Sequence, residues 1–123
     1  MAKKRVMIVD DDADFLQELG ETLSMSGYDM VAVNDSGEAL EIAGRTKPDI
    51  ILLDLKMPVK SGFQLADEIN QRYKSDNIPI IAMSAFVKDE YAALLKVCGI
   101  KKYIKKPFYP LNVITLIEET LNE

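Results

Sequence analysis

Residues Ile50-Ile51-Leu52-Leu53-Asp54-Leu55-Lys56-Met57-Pro58 begin with four aliphatic side chains in a row and then reach a carboxylate. A strand with one wet face alternates apolar and polar residues; an unbroken apolar run fits a central strand of a parallel sheet, buried on both faces. Similar short runs occur at Val6-Met7-Ile8-Val9, Met30-Val31-Ala32-Val33, Ile78 to Met83 and Tyr103-Ile104. Between them the apolar spacing becomes helical. Leu16, Leu19 and Leu23 form one stripe, and Ala39, Leu40 and Ala43 a second. The third comprises Leu65, Ala66, Ile69 and Tyr73, the fourth Tyr91, Leu94, Leu95 and Cys98, and the last Leu111, Ile114, Ile117 and Leu121. Each predicts a helix that buries one face.

The punctuation agrees. Gly27 stands where a left-handed residue ends the first helix. Asp35 or Ser36 can cap the second, with Glu38 placed for a capping box led by Asp35. Pro48 separates the second helix from the third strand, and Pro110 suits the first turn of the last helix. Five strand–helix alternations predict an α/β fold: a five-stranded parallel sheet with helices on both faces. The lysine-rich segment Lys101-Lys102-Tyr103-Ile104-Lys105-Lys106 reads as a protected edge strand. The order 2-1-3-4-5 satisfies these constraints.

Composition removes several kinds of function. The 123 residues carry 15 Lys+Arg against 20 Asp+Glu, a formal charge of −5, with no histidine and one cysteine, Cys98. An acidic chain lacks the basic face that binds nucleic-acid backbones, so no direct nucleic-acid contact is expected. Without histidine there is no Ser-His or Cys-His catalytic pair and no zinc site of thiolate and imidazole. A lone cysteine fits a reducing compartment. No apolar run approaches the roughly 18 residues of a spanning helix, and Val6 to Val9 is too short for a signal-peptide core. The expectation is one cytoplasmic domain, residues 1–123, with no membrane contact.

In open parallel sheets, ligands bind beyond the carboxyl ends of the strands, where strand order reverses. The first strand ends in Asp10-Asp11-Asp12, the third in Asp54, the fourth in Ser84 and the fifth in Lys106. Asp12 and Asp14 read as helix-cap and dipole partners. Clustered carboxylates raise one another's pKa unless a cation neutralises them, and one lysine is too little. A hard divalent cation with oxygen ligands, Mg²⁺ or Mn²⁺, resolves the imbalance and points to phosphoryl chemistry, with Asp54 as a carboxylate nucleophile. Such catalysis rests on positioning and charge neutralisation, so it needs no histidine.

The motifs Val9-Asp10-Asp11, Asp54-Leu55-Lys56-Met57-Pro58 with Gly62, Ser84-Ala85 and Lys106-Pro107-Phe108 occur in this order, each at a strand end. In this the chain resembles the receiver domain of two-component response regulators, the CheY-like, flavodoxin-like fold. The resemblance implies that Asp54 accepts the phosphoryl group. It implies that Asp11 ligates Mg²⁺ directly, Asp10 through water, and the backbone carbonyl of Lys56 as a third protein ligand. Ser84, with Ala85 beside it, would meet the phosphoryl group, and Lys106 would pair with its charge. Tyr103 would be the switch aromatic, and a cis bond would precede Pro107. The implied donor is a sensor histidine kinase or a phosphotransfer protein. The implied output is a changed face of fourth helix, fifth strand and fifth helix, read by a downstream protein or a missing output domain, with homodimerisation through that face in view.

Two positions depart from the common pattern. Lys56 either shields the acyl phosphate or competes with the metal, and Phe86 predicts a long-lived phosphoryl state by hindering water. A haloacid-dehalogenase-type phosphatase would want a second aspartate where Lys56 stands, and a cap insertion. No phosphate-binding glycine loop follows a strand. The expected role is therefore signalling rather than metabolic catalysis.

Overall fold

Alternate side chains of the strand Ile50–Asp54 serve opposite layers: Ile50 and Leu52 pack with one set of helices, Ile51 and Leu53 with the other. All four are wholly buried, each contributing about 1.5–3 kcal/mol relative to exposure. The computed structural model describes residues 3–85 and 91–123. In chain order the elements are β1 (Arg5–Val9), α1 (Ala13–Met25), β2 (Asp29–Val33), α2 (Ser36–Thr46), β3 (Ile50–Asp54), α3 (Gly62–Arg72), a 3₁₀ turn (Lys74–Asp76), β4 (Ile80–Ser84), α4 (Tyr91–Val97), β5 (Lys102–Lys105) and α5 (Pro110–Leu121). The sheet is parallel throughout, in the order β2-β1-β3-β4-β5.

One layer sets Met7, Val9, Ile51, Leu53, Ile80 and Ala82 against α2, α3 and α4. The other sets Val6, Ile8, Ile50, Leu52, Ile81 and Met83 against α1 and α5. β5 is an edge strand whose residues alternate between half-buried and exposed, as its lysines predicted. Among the described residues, no helix is long and apolar enough to cross a membrane.

The caps follow the sequence reading closely. Asp12 caps α1 by accepting from the Phe15 amide, and Asp35 caps α2 by accepting from that of Gly37. Gly27 takes φ +98° just beyond α1, a conformation in which a side chain is strained. Pro110 opens α5. The cap of α3 is Ser61, whose hydroxyl accepts from the Gln64 amide.

Two expected core residues lie elsewhere. Leu111 is 71% exposed, and the buried stripe of α5 is Val113, Ile117 and Thr120. Steps of three residues drift by about 60° around a helix, so Leu111 lies about 120° from Ile117. Leu94 is also exposed: α4 fully buries Leu95, with Tyr91 half-buried against the same layer and Cys98 just beyond the helix end.

Val59, in the β3–α3 loop, has φ +71° and an exposed side chain. A β-branched residue is strained there, and little packing compensates. Val59→Gly should therefore stabilise the fold by about 1 kcal/mol in urea titrations; an unchanged midpoint would show that the loop relaxes the strain.

Candidate functional site

Parallel strands deliver their carboxyl ends to one rim, so residues far apart in sequence meet there. Asp10, buried just past β1, is fixed by two contacts. One carboxylate oxygen accepts from the Asp12 amide at 3.0 Å, and the other meets Lys106 Nζ at 2.5 Å. Asp11, next along, is exposed. Asp54 closes β3 with its carboxylate buried; Oδ1 accepts a long hydrogen bond from the Lys56 amide at 3.4 Å, and Oδ2 lies 4.0 Å from Lys106 Nζ. Asp10, Asp11 and Asp54 each offer an oxygen within 4.8 Å of the others'.

These charges burden Asp54. Burial, then the Asp10 carboxylate, push its pKa from 3.8 up to about 6, with Asp11 adding to the rise. Lys106 and the Lys56 amide pull it down without prevailing. Among the described residues, these three carboxylates outnumber the one ammonium, that of Lys106, that the ion pairs bring to them. Three carboxylates within reach of one point are hard oxygen donors suited to Mg²⁺, so the donor set fits the expected cation.

Ser84, at the end of β4, is buried, and its carbonyl accepts from the Lys106 amide at 2.8 Å. This bond ties the lysine's segment to the rim. The Lys106–Pro107 peptide is cis. Ala85 lies on the rim of a cavity of about 760 Å³ that Phe15, Lys106 and Phe108 also line. Lys56 is exposed beside the site. Tyr103 is not part of this gathering: it stands 53% exposed on the edge strand, in register with Ala82. Phe86 lies outside the described residues.

Two features escaped the sequence reading. Ser36, left there as an alternative cap, is buried and bridges to the β3–α3 loop: its hydroxyl donates to the Pro58 carbonyl at 2.9 Å and accepts from the Lys60 amide at 3.1 Å. Ser36→Ala should cost about 1–1.5 kcal/mol in denaturant titrations, because the Pro58 carbonyl and the Lys60 amide lose the buried hydroxyl they share. A loss below about 0.5 kcal/mol would mean that water replaces the hydroxyl. The second is the ring of Phe15, which faces Lys106 with its centroid 4.1 Å from Nζ.

The model of the response regulator receiver domain matches residues 6–118. The chain belongs to that family. Curated relatives of this receiver domain include the probable transcriptional regulator ycf27 of Porphyridium aerugineum, 34% identical over 98% of the chain and 49% of the relative. The transcriptional regulatory protein PdtaR of Mycobacterium tuberculosis is 34% identical over 94% of the chain and 55% of its own length. The chain spans about half the length of the curated relatives it matches. Among solved structures, the chemotaxis protein CheY4 of Vibrio cholerae superposes with TM-score 0.91 at 27% identity, covering 96% of this chain and 98% of that one. A CheY-like receiver domain protein from Methanospirillum hungatei gives TM-score 0.92 at 26% identity, over 98% and 95%. The fold is thus the expected CheY-like one, and the receiver family is one of signalling rather than metabolic domains.

Proposed function

We propose that the chain, as a single receiver domain over residues 1–123, accepts a phosphoryl group on Asp54 in a Mg²⁺-dependent reaction and passes the signal to a protein partner. The observation that carries this is the gathering of Asp10, Asp11 and Asp54 around one point, with Lys106 Nζ 2.5 Å from Asp10 and 4.0 Å from Asp54. Asp10, Asp11, Asp54 and the Lys56 backbone carbonyl would hold the cation. Bound there, Mg²⁺, or Mn²⁺ in its place, supplies the positive charge that the carboxylates and phosphoryl oxygens lack.

The chain's own groups do the rest. An Asp54 oxygen attacks the phosphorus of a phosphohistidine on a sensor histidine kinase or phosphotransfer protein. The new O–P bond forms as the P–N bond breaks, and the electron pair stays on the departing imidazole nitrogen. Lys106 turns from Asp10 toward the developing charge, and the Ser84 hydroxyl with the Ala85 amide binds the phosphoryl oxygens. The added charge of about −1.5 to −2 favours whichever conformation binds it better. Tyr103, exposed without it, reports that shift, and Leu94, Val97 and Leu111 offer apolar surface on the face of α4, β5 and α5. That face engages a downstream protein, an output domain or a second copy of the chain, in the cytoplasm and without direct nucleic-acid contact.

The test uses acetyl phosphate, where the P–O bond to acetate breaks instead. With Mg²⁺ present, intact-mass spectrometry should show one phosphoryl adduct, absent with EDTA. Rapid multiple turnover without an adduct would favour a phosphatase and overturn the reading.

A further inference from the structure

Lysine holds a point charge on a flexible four-carbon stem, so something must fix the direction of its ammonium. Asp10 does so from one side. On another, Nζ lies over the Phe15 ring, 4.1 Å from its centroid, within the range of a cation–π contact. The ring is itself held. Phe15 sits in the first turn of α1, where its amide donates to the Asp12 cap, and Phe108 packs against it edge-to-face, with centroids 5.8 Å apart and planes at 82°. Phe108 follows Lys106 by two residues, so one ring meets both the ammonium and the segment that carries it. The Lys106 side chain is only 20% exposed, which favours the contact because little water competes with the ring face.

From this geometry we infer that Phe15 is a positioning residue for phosphoryl transfer: its ring face keeps the Lys106 ammonium aimed between Asp10 and Asp54. The inference rests on the phosphoryl-acceptor reading above. Phe15 touches neither the phosphoryl group nor the metal. It acts through Lys106, by limiting the rotamers the ammonium visits while it remains free to move from Asp10 toward new charge.

Fluorination separates the electrostatic role from packing, because it drains the negative ring face while nearly preserving shape. Phenylalanines with one, two and three ring fluorines are incorporated at position 15 of the full chain. Adduct formation from acetyl phosphate is then followed with Mg²⁺, alongside melting temperature. The second-order rate constant should fall stepwise, by about 10-fold at the last member, with melting temperature nearly constant. Phe15→Leu should slow the reaction by about 3- to 30-fold, and Phe15→Tyr, which keeps the ring face, should restore most of the rate. A flat fluorine series overturns the proposal even if Phe15→Leu folds poorly. A wild-type chain that forms no adduct overturns the acceptor reading and this inference together, and is recognised before any substitution is made.

Discussion

In EDTA at pH 7, Asp54→Asn should melt roughly 10 °C above the wild-type chain, while forming no phosphoryl adduct at all. Both effects come from one carboxylate. Its pKa is raised to about 6 by burial and by Asp10. Between about pH 4 and 6 the folded chain therefore holds a proton that the unfolded chain has released. The stabilisation linked to that proton is complete below pH 3.8 and is lost as pH rises through 6, leaving an ionised Asp54 disfavoured by about 3 kcal/mol at pH 7. Asparagine keeps the shape and removes the charge. The gap between the two proteins should thus be near zero at pH 4 and widen toward pH 7, and Mg²⁺ should narrow it by stabilising the wild type more. Thermal melts at several pH values check this. A gap independent of pH, or a wild type that is the more stable protein, would contradict the charge-crowded site.

Gly62→Ala should be the most damaging small substitution, costing on the order of 4 kcal/mol. A Cβ on Gly62 would lie 2.3 Å from the Asp54 carbonyl oxygen and 2.8 Å from Leu55 Cα. Both are backbone atoms at the end of β3, and the Gly62 amide also bonds the Leu55 carbonyl at 3.1 Å. The clash can be relieved only by moving α3 or the strand end that carries Asp54. Gly20, mid-way along α1 with nothing within 4 Å of its added Cβ, is the control; Gly20→Ala should gain about 0.5–1 kcal/mol through helix propensity. Urea midpoints measure both, and equal responses would refute the steric account.

The sheet order and the rim were legible because parallel β-strands leave strong local marks. Ile50 to Leu53 has no polar interruption, so its central place follows from the sequence alone. The edge strand was legible from its lysines. Leu111 was misplaced because the spacing of apolar residues gives a stripe but not its drift, and the buried face of α5 is set by Val113, Ile117 and Thr120. Ser36 and Phe15 were missed for another reason. A serine beside a capping aspartate and an aromatic in a first turn look ordinary until Pro58 and Lys106 are brought to them by separate crossovers. The roles proposed for Ser84 and Tyr103 rest on family resemblance rather than on any local pattern.

Asp10 and Lys106 are 96 positions apart, yet they share one ion pair at the proposed acceptor. A nascent chain still lacking its last strand, or a copy clipped ahead of it by a protease, therefore has the acidic end of the site without its counterion. Such fragments would be poor acceptors, so the adduct proposed for Asp54 would form only on chains in which this pair has closed.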